Sequence, residues 1–574
     1  MEKYVFEYSN LNKKIDDDLY DNKNNEPNNF DKYDNSIKKD KQNIFKYDIT
    51  SKHNKINKSD KINKSDKDNK ASKINKSDKD NKSDKDNKSD KDNKASKTNK
   101  DNKDNKDNKD NKDNKSSKDN KDIDNIYNTE CKKKHIIYFD NNGTTVMSPQ
   151  AVKVLTKWAV CYNASTDSKV AKPSKQILEK AINLILDHCG VNSATHKAIF
   201  TSGATESNNY IIRACVRAYQ NKIRKSETPN ILPHIIISAI EHSSIIECVN
   251  DLKDRGEIDL SIITPTIYGN ILPQDVEKEI KVNTCLICIM YANNELPIIN
   301  NIKAIGEISH KYNIPLHSDC VQIFGKIKLD LKNLNIDSLS ASFHKFYGPK
   351  GIGLLILSNE LIDGYELKAE ISGSQQYHLR GGTENISGIA SGITALQYAF
   401  INRRKKNENL YKLRTYCLDK LKEIYKFGDI KNYIYSPEDK KPDLEIVNLG
   451  PPENKKEFIL PNTILLSVCK NKGIPFCNVN LKKDLDNKNC VVSIGSACLT
   501  NSDKASHVLS SIGATPVIKR GTIRISFGDN NTIKEINKFI ELFKLCVDKQ
   551  CKDIDEYTIN SKSSKIKNEK TNEK

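Results

Sequence analysis

The sequence is poor in what usually builds a core: 36% hydrophobic residues, 7% aromatic ones, one Trp and three Met in 574 residues. No stretch approaches the roughly 18 uninterrupted apolar residues of a membrane-spanning helix, which excludes an integral helical membrane protein. Dense cysteine spacing is missing too. The 15 cysteines are odd in number and scattered from Cys131 to Cys551, which argues against a disulfide-stapled secreted scaffold and for a reducing compartment. Residues 1–8 lack the charged start and apolar run of a secretory signal, and Asp16, Asp17 and Asp18 fall where a mitochondrial presequence avoids acid. The expectation is a cytoplasmic protein with no membrane partner.

One segment produces the low apolar average. Residues 51–122 are nearly all Lys, Asp, Asn and Ser, and their 24 Lys against 16 Asp supply +8 of the net charge of +18. From Asp101 the tract runs as Asp-Asn-Lys triplets. A period of three with nothing to bury cannot build a solenoid, whose repeats run to about 20 residues or more. Residues 1–133 are therefore expected to be a disordered arm. A polycationic arm suits nucleic acid, but Asp at nearly every third position dilutes the charge, so an inert extension is expected and nucleic acid is not the expected partner.

The texture changes at His135. Short apolar runs at 198–201, 234–238, 285–290 and 353–357 read as strands buried on both faces, and the segments 207–220, 243–252 and 302–312 between them carry helical patterns. Such alternation predicts an α/β domain with a large, mostly parallel sheet over 134–399. A charged helix over 400–426, scattered strands and a last helix at 533–547 predict a smaller α+β domain over 400–551, followed by a disordered basic tail at 552–574.

The polar stretch 338–351, Ser-Leu-Ser-Ala-Ser-Phe-His-Lys-Phe-Tyr-Gly-Pro-Lys-Gly, reads as a turn-rich active-site loop. A lone loop lysine is ordinarily a solvated charge. Lys345, however, lies 26 residues after Asp319, which follows a strand-like run, and Gln322 sits three further on. A lysine, an acid and an amide at strand ends are what a pyridoxal phosphate site requires. The lysine forms the Schiff base, the acid pairs with the protonated pyridine nitrogen, and the amide bonds the phenolic oxygen. Upstream, Gly203, Ala204 and Thr205 lie between a strand and a helix, an ordinary cap by itself but in this company a phosphate cup that Ser342 and His344 complete. His242, after the strand ending at Ser238, is placed to lie over the ring and move protons. No His/Cys cluster has zinc spacing, and Cys285 and Cys288, three apart in a strand, are expected on opposite faces. No metal site is expected.

With these residues in hand the sequence resembles the cysteine desulfurases, fold-type I pyridoxal-phosphate enzymes of the class V aminotransferase group. The resemblance rests on ordered stretches at 139–145, 201–209, 241–242, 293–295, 317–319, 342–351, 379–385, 493–498 and 524–528. It implies Lys345 as the Schiff-base lysine, Asp319 and Gln322 as ring partners, and His242 as the stacking acid/base. It places Thr205, Ser342 and His344 on the phosphate, and Thr383 on the phosphate of a neighbouring subunit in a homodimer. Asn294 and Arg524 would hold the substrate carboxylate, and Cys498, in a run of small residues suited to a mobile loop, would be the thiolate that takes the sulfur as a persulfide. The implied reaction turns L-cysteine into L-alanine and passes sulfur to an acceptor or scaffold protein, for iron-sulfur clusters or thiolated tRNA. Selenocysteine lyase uses the same residues, and a third possibility is a scaffold that binds the cofactor but acts through its basic arm.

The chain departs from the family pattern at several positions, and the stretches 451–457 and 482–489 also look atypical. Cys320 replaces a small residue, Leu296-Pro297 stands where Ile-Gly is common, and Gly-Ser-Gln-Gln-Tyr-His-Leu-Arg at 373–380 replaces a run that usually reads Gly-Gly-Gln-Glu-Arg-Gly-Leu-Arg.

Overall fold

The computed structural model describes residues 135–225, 231–435, 442–471, 475–494 and 506–572, with the side chains of the last helix described as far as Asn560. The arm at 1–133 and Cys498 lie outside them.

The chain enters on a short strand, β1 (Ile137–Tyr138), and then builds a seven-stranded sheet. Its strands are β2 (His196–Thr201), β3 (His234–Ser238), β4 (Asp259–Ile263), β5 (Thr284–Cys288), β6 (Leu316–Asp319), β7 (Ser338–Ser342) and β8 (Gly353–Ser358), in the order β2-β8-β7-β6-β5-β3-β4. From β4 to β7 every neighbouring pair is parallel; β8 runs antiparallel to both β7 and β2. Helices cover both faces, which is why these strands are nearly continuous in apolar residues. On one side α1 (Pro149–Trp158), α2 (Lys172–His188), α5 (Ile302–Lys311) and α6 (Ile386–Phe400) contribute to a core with Ile236, Ile287, Leu339 and Ile356. On the other, α3 (Ala204–Arg224) and α4 (Ser243–Asp254) pack on Ile199, Ile235, Ile237 and Leu355.

Two expectations about this sheet need correction. Residues 338–342 are a fully buried strand rather than the start of a loop, and the turn begins only at Phe343. Leu339 and Ala341 alternate into the core while the serines face the other side, where Ser338 Oγ bonds His317 Nδ1 at 2.9 Å. Serine is small enough for that crowded face, and its hydroxyl gives a buried histidine a partner. Cys285 and Cys288 do not point to opposite faces either. The register shifts between His234 and Ile235, so Thr284 and Leu286 oppose successive residues of β3. This bulge moves Cys285 to the same core as Cys288.

The C-terminal part has its own sheet and core. The strands β9 (Phe427–Gly428), β10 (Leu444–Leu449), β11 (Thr463–Lys470) and β13 (Thr522–Ser526) are ordered β13-β11-β10-β9, and β12 (Cys490–Val491) pairs in parallel with β1. Helices α7 (Arg403–Lys422), α8 (Asn478–Asp486) and α9 (Ile533–Asn572) close this core. Ile137 and Phe139, expected in the domain over 134–399, belong to this core. Phe139 meets Phe527 and Phe539 edge-on at centroid distances of 5.1 and 5.6 Å. Each such pair is worth about 0.5–1.5 kcal/mol beyond area burial.

The helix expected over 400–426 is α7, which starts at Arg403 after Asn402, whose φ of 58° separates it from α6. The last helix does not stop at 547, and the tail expected to be disordered from 552 is helical through Asn572. Lys470, whose side chain is buried, bonds both Asp443 and Asp555 at 2.9 Å, and Ile554 is buried, so the helix is tied to the small sheet one turn beyond Lys552.

One edge of the large sheet is finished by a side chain. Gln376 Oε1 accepts from Phe200 N at 2.6 Å and its Nε2 donates to Phe200 O at 3.0 Å, on the outer side of β2. Gln376, Tyr377 and His378 all have positive φ, 44°, 64° and 60°. At about 1–2 kcal/mol per non-glycine residue in the left-handed region, this turn is strained.

Candidate active site

The ends of β2, β3, β6 and β7 bring most of the expected residues together, at the carboxyl edge of a parallel sheet where open α/β folds bind ligands. At the end of β2, Gly203 has an extended backbone (φ 169°), and a Cβ placed there would meet nothing within 4 Å. β8 approaches so closely behind it that a Cβ on Gly353 would lie 2.4 Å from Gly203. Ala204 opens α3, and Thr205, exposed in its first turn, adds a hydroxyl beside N–H groups that have no intrahelical acceptor. Glu206 in the same turn accepts from Ser202 N at 2.7 Å and pairs with Arg380 at 2.9 Å, so its charge is already matched.

Asp319 ends β6 buried. Its Oδ2 accepts from Asn208 Nδ2 and its Oδ1 from Val321 N, each at 3.0 Å. No cationic side chain pairs with it among the described residues, so this carboxylate suits a cationic ring nitrogen on a bound group. Gln322 is oriented from both ends: Lys326 Nζ donates to Oε1 at 3.1 Å, and Nε2 donates to Asn142 O at 3.2 Å. Lys345 closes the single 3₁₀ turn Phe343–Lys345 that follows β7, and its Nζ donates to the carbonyls of Asn142 and Gly143 at 2.7 Å each. Burial, with Arg524 nearby, pushes the Lys345 amine down to about 8 against the opposing pull of Asp319 and Asp140. An amine so placed is about half neutral near pH 8 and is a competent nucleophile. Ser342, buried, ends β7 itself, and His344 bonds Thr144 Oγ1 at 3.0 Å through Nδ1. Burial, then the charge of Lys345, drives the His344 imidazole down to about 4.

His242 caps the N-terminus of α4, and its Nδ1 accepts from Ser244 N at 3.2 Å. It interacts electrostatically with Asp319 and Lys345, and burial lowers its basicity. Arg524, on β13, crosses from the small sheet. It donates through Nη1 to Asn294 O at 2.7 Å and through Nη2 to Asp140, and its Nε is buried with no partner. Asn294 thus meets Arg524 through its main chain, not its side chain. Thr383 is exposed and bonds no described side chain. Sequence reasoning gave no role to Asn142, Asp140 or Lys326. Asn142 and Asp140 lie in the quoted stretch 139–145, but nothing in their spacing marks them as the floor of a site assembled from positions about 200 and 380 residues away.

The aminotransferase class-V family model matches residues 137–453. The chain is 31% identical over 409 residues to "Cysteine desulfurase IscS" of Clostridium botulinum, an alignment covering 71% of this chain and 93% of that one. Among solved structures it is similar to a "NifS-like protein" (TM-score 0.59, 26% identity, 72% of this chain and 99% of that one). Another is "SspA in complex with cysteine" (TM-score 0.54, 27% identity, 69% and 100%). The chain belongs to the cysteine desulfurases of the class-V aminotransferase family.

Both described ends of the segment 493–507 are bonded to neighbouring residues of the site. Ser493 N donates to Arg524 O at 3.0 Å and Arg524 N to Ser493 O at 2.6 Å. Ser506 Oγ donates to Glu295 Oε2 at 2.7 Å, and His507 Nε2 bonds Glu241 O at 3.0 Å. Among the departures from the family pattern, Cys320 is fully buried in the main core, where burial raises its thiol well above the ordinary range, so it packs rather than reacts. No helix among the described residues is long and apolar enough to cross a membrane, and no described cluster of three or more His, Cys, Asp or Glu could hold a metal ion.

Glu241, next to His242, is wholly buried. The Ser238 hydroxyl and Met290 N–H both donate to its Oε1, at 2.5 and 2.8 Å, while Oε2 is buried without a partner. Burial pushes this carboxyl up to about 8. A raised folded pKa favours the protonated form, so its contribution to stability is present below the unfolded value near 4.5 and is lost as pH rises through about 8. Over that window the loss amounts to on the order of a few kcal/mol. Glu241→Gln, a neutral isostere, is expected to flatten this part of the stability profile. Denaturant unfolding at pH 5 and pH 8.5 measures it, and equal slopes for both proteins would contradict the assignment.

Proposed function

We propose that this protein converts L-cysteine to L-alanine and retains the sulfur as a persulfide on Cys498, from which it passes to an acceptor for iron-sulfur assembly. What carries the reading is Lys345 and Gln322 meeting at the carbonyl of Asn142, the buried Asp319 carboxylate held by Asn208, and the described ends of the Cys498 segment bonded to Arg524 on one side and Glu295 on the other.

The residues fit pyridoxal phosphate. Lys345 supplies the amine, Asp319 a buried carboxylate for the pyridine nitrogen, and Gln322 an amide donor for the phenolic oxygen. Gly203, Ala204, Thr205, Ser342 and His344 offer N–H and hydroxyl groups to the phosphate, with Thr383 of a second copy completing it in a homodimer. The cofactor supplies the electron sink that stabilises negative charge at the substrate's α-carbon.

The chain's own groups do the rest. Arg524 holds the substrate carboxylate through its guanidinium, exchanging its contact with Asp140 for a charge-assisted bond. Lys345 takes the α-proton as a neutral amine, and His242 stands as the second proton-carrying group. The Cys498 thiolate attacks the substrate sulfur. A sulfur–sulfur bond forms, the carbon–sulfur bond breaks, and the electron pair left on carbon is protonated to give the methyl group of alanine.

The test is alanine release from L-cysteine and L-selenocysteine by the purified holoenzyme. Stoichiometric alanine and protein-bound persulfide from cysteine are expected. A large preference for selenocysteine, with no persulfide from cysteine, would replace this reading with selenocysteine lyase.

A further inference from the structure

A chain of buried polar side chains runs from the middle of the large sheet to His242. Ser338 Oγ bonds His317 Nδ1 at 2.9 Å, and His317 Nε2 bonds Asn208 Oδ1 at 3.0 Å. Asn208 Nδ2 bonds both Asp319 Oδ2 at 3.0 Å and Ser244 Oγ at 2.9 Å. Ser244 Oγ meets His242 Nδ1, again at 2.9 Å. Ser338, His317, Asn208, Ser244 and Asp319 are all buried. The chain forms because His317 and Asp319 are two apart on β6 and share one face, while Asn208 faces them from α3.

The direction of every bond in it can be assigned. An ionised carboxylate only accepts, so the amide NH₂ of Asn208 must face Asp319, and its Oδ1 is left to face His317. His317 Nε2 therefore carries a proton, and the fully buried, neutral ring accepts at Nδ1 from the Ser338 hydroxyl. Asn208 also donates to Ser244 Oγ, whose own proton then goes to His242 Nδ1. The backbone N–H of Ser244 donates to the same nitrogen. His242 Nδ1 thus receives two donors and must be a bare acceptor, and the ring proton sits on Nε2, which bonds no described residue. Any other tautomer would set donor against donor in a buried chain, where an unmade hydrogen bond is expensive.

We infer that Asn208, Ser244 and His317 are positioning residues that fix His242 as the Nε2–H tautomer while holding the Asp319 carboxylate, so that His242 meets the substrate as a proton donor. This rests on the desulfurase reading for its consequence, but the tautomer itself does not. The roles of the two proton carriers separate: Lys345 accepts the α-proton, and His242 gives one. Asn208 is the branch point, and one amide group bonds both the Asp319 carboxylate and Ser244, the partner of His242.

Two measurements test it on the holoenzyme. Nitrogen-15 spectra of histidine-labelled protein, with the His242 signals assigned by their loss in His242→Gln, are expected to show a protonated Nε2 and a bare Nδ1 at neutral pH. A protonated Nδ1 in the wild type overturns the inference, whether or not cysteine is a substrate. In turnover, Ser244→Ala is expected to lower kcat by about ten- to a hundred-fold with KM little changed, and Ser244→Thr to restore most of it. Asn208→Ala, checked for retained cofactor absorbance, is expected to lose at least as much. Unchanged kcat in Ser244→Ala, or loss in Ser244→Thr equal to that in Ser244→Ala, overturns it as well. If wild-type enzyme released no alanine from cysteine while the spectra showed the Nε2–H ring, the functional reading would fail and the tautomer assignment would stand.

Discussion

Lys345→Ala is expected to leave a folded protein that no longer holds pyridoxal phosphate covalently. Its yellow absorbance disappears, borohydride fixes no cofactor at position 345, and turnover falls by at least about 10⁴-fold, because both the anchor and the base are removed. The pH dependence of cofactor capture by apoprotein adds a sharper expectation. With its amine lowered to about 8 by burial and Arg524, wild-type capture climbs as pH passes 8 and levels off above it. An unperturbed lysine would still be gaining at pH 10. A colourless wild-type protein in the presence of excess vitamer, or capture that keeps rising past pH 10, would remove the basis for the site.

Cys498→Ala separates the cofactor chemistry from the sulfur chemistry. The variant is expected to keep the colour and the spectral change on adding cysteine, since Lys345, Asp319 and Arg524 are untouched, but to form no persulfide and to lose alanine release by about 10³-fold or more. Normal turnover in this variant would mean that sulfur leaves without a protein nucleophile. The cysteines fully buried in the cores give no substitute: desolvation raises their thiols, as at Cys189, Cys285 and Cys417, and a thiol held protonated is a poor nucleophile.

Much of this was legible in the sequence because local pattern and tertiary placement agree. The strands at 196–201, 234–238 and 353–358 are apolar on both faces because both faces are covered, and the first two lead into Gly203 and His242. Where polar residues serve a buried network, the pattern misleads. Ser338, Ser340 and Ser342 look like a loop until His317 is seen across from them. The bulge that brings Cys285 and Cys288 to one face depends on register with β3, which spacing within one strand cannot reveal. Asn142 is the clearest omission. Its carbonyl receives both Lys345 and Gln322, and its side chain reaches Asn462 and Thr463. It is one asparagine among many in a chain rich in them, and only folding singles it out. The last helix outran its expected end for a similar reason: a distant lysine, Lys470, needs Asp555.

The turn at 376–378 has a bearing on the life of the molecule in a crowded solution. An outer strand with free donors and acceptors is a template on which other chains can stack. Here the amide of Gln376 occupies the N–H and C=O of Phe200 as a one-residue dummy strand would, while three left-handed residues turn the backbone away from any continuation of the ladder. A strained corner thus acts as a stopper against edge-to-edge strand stacking.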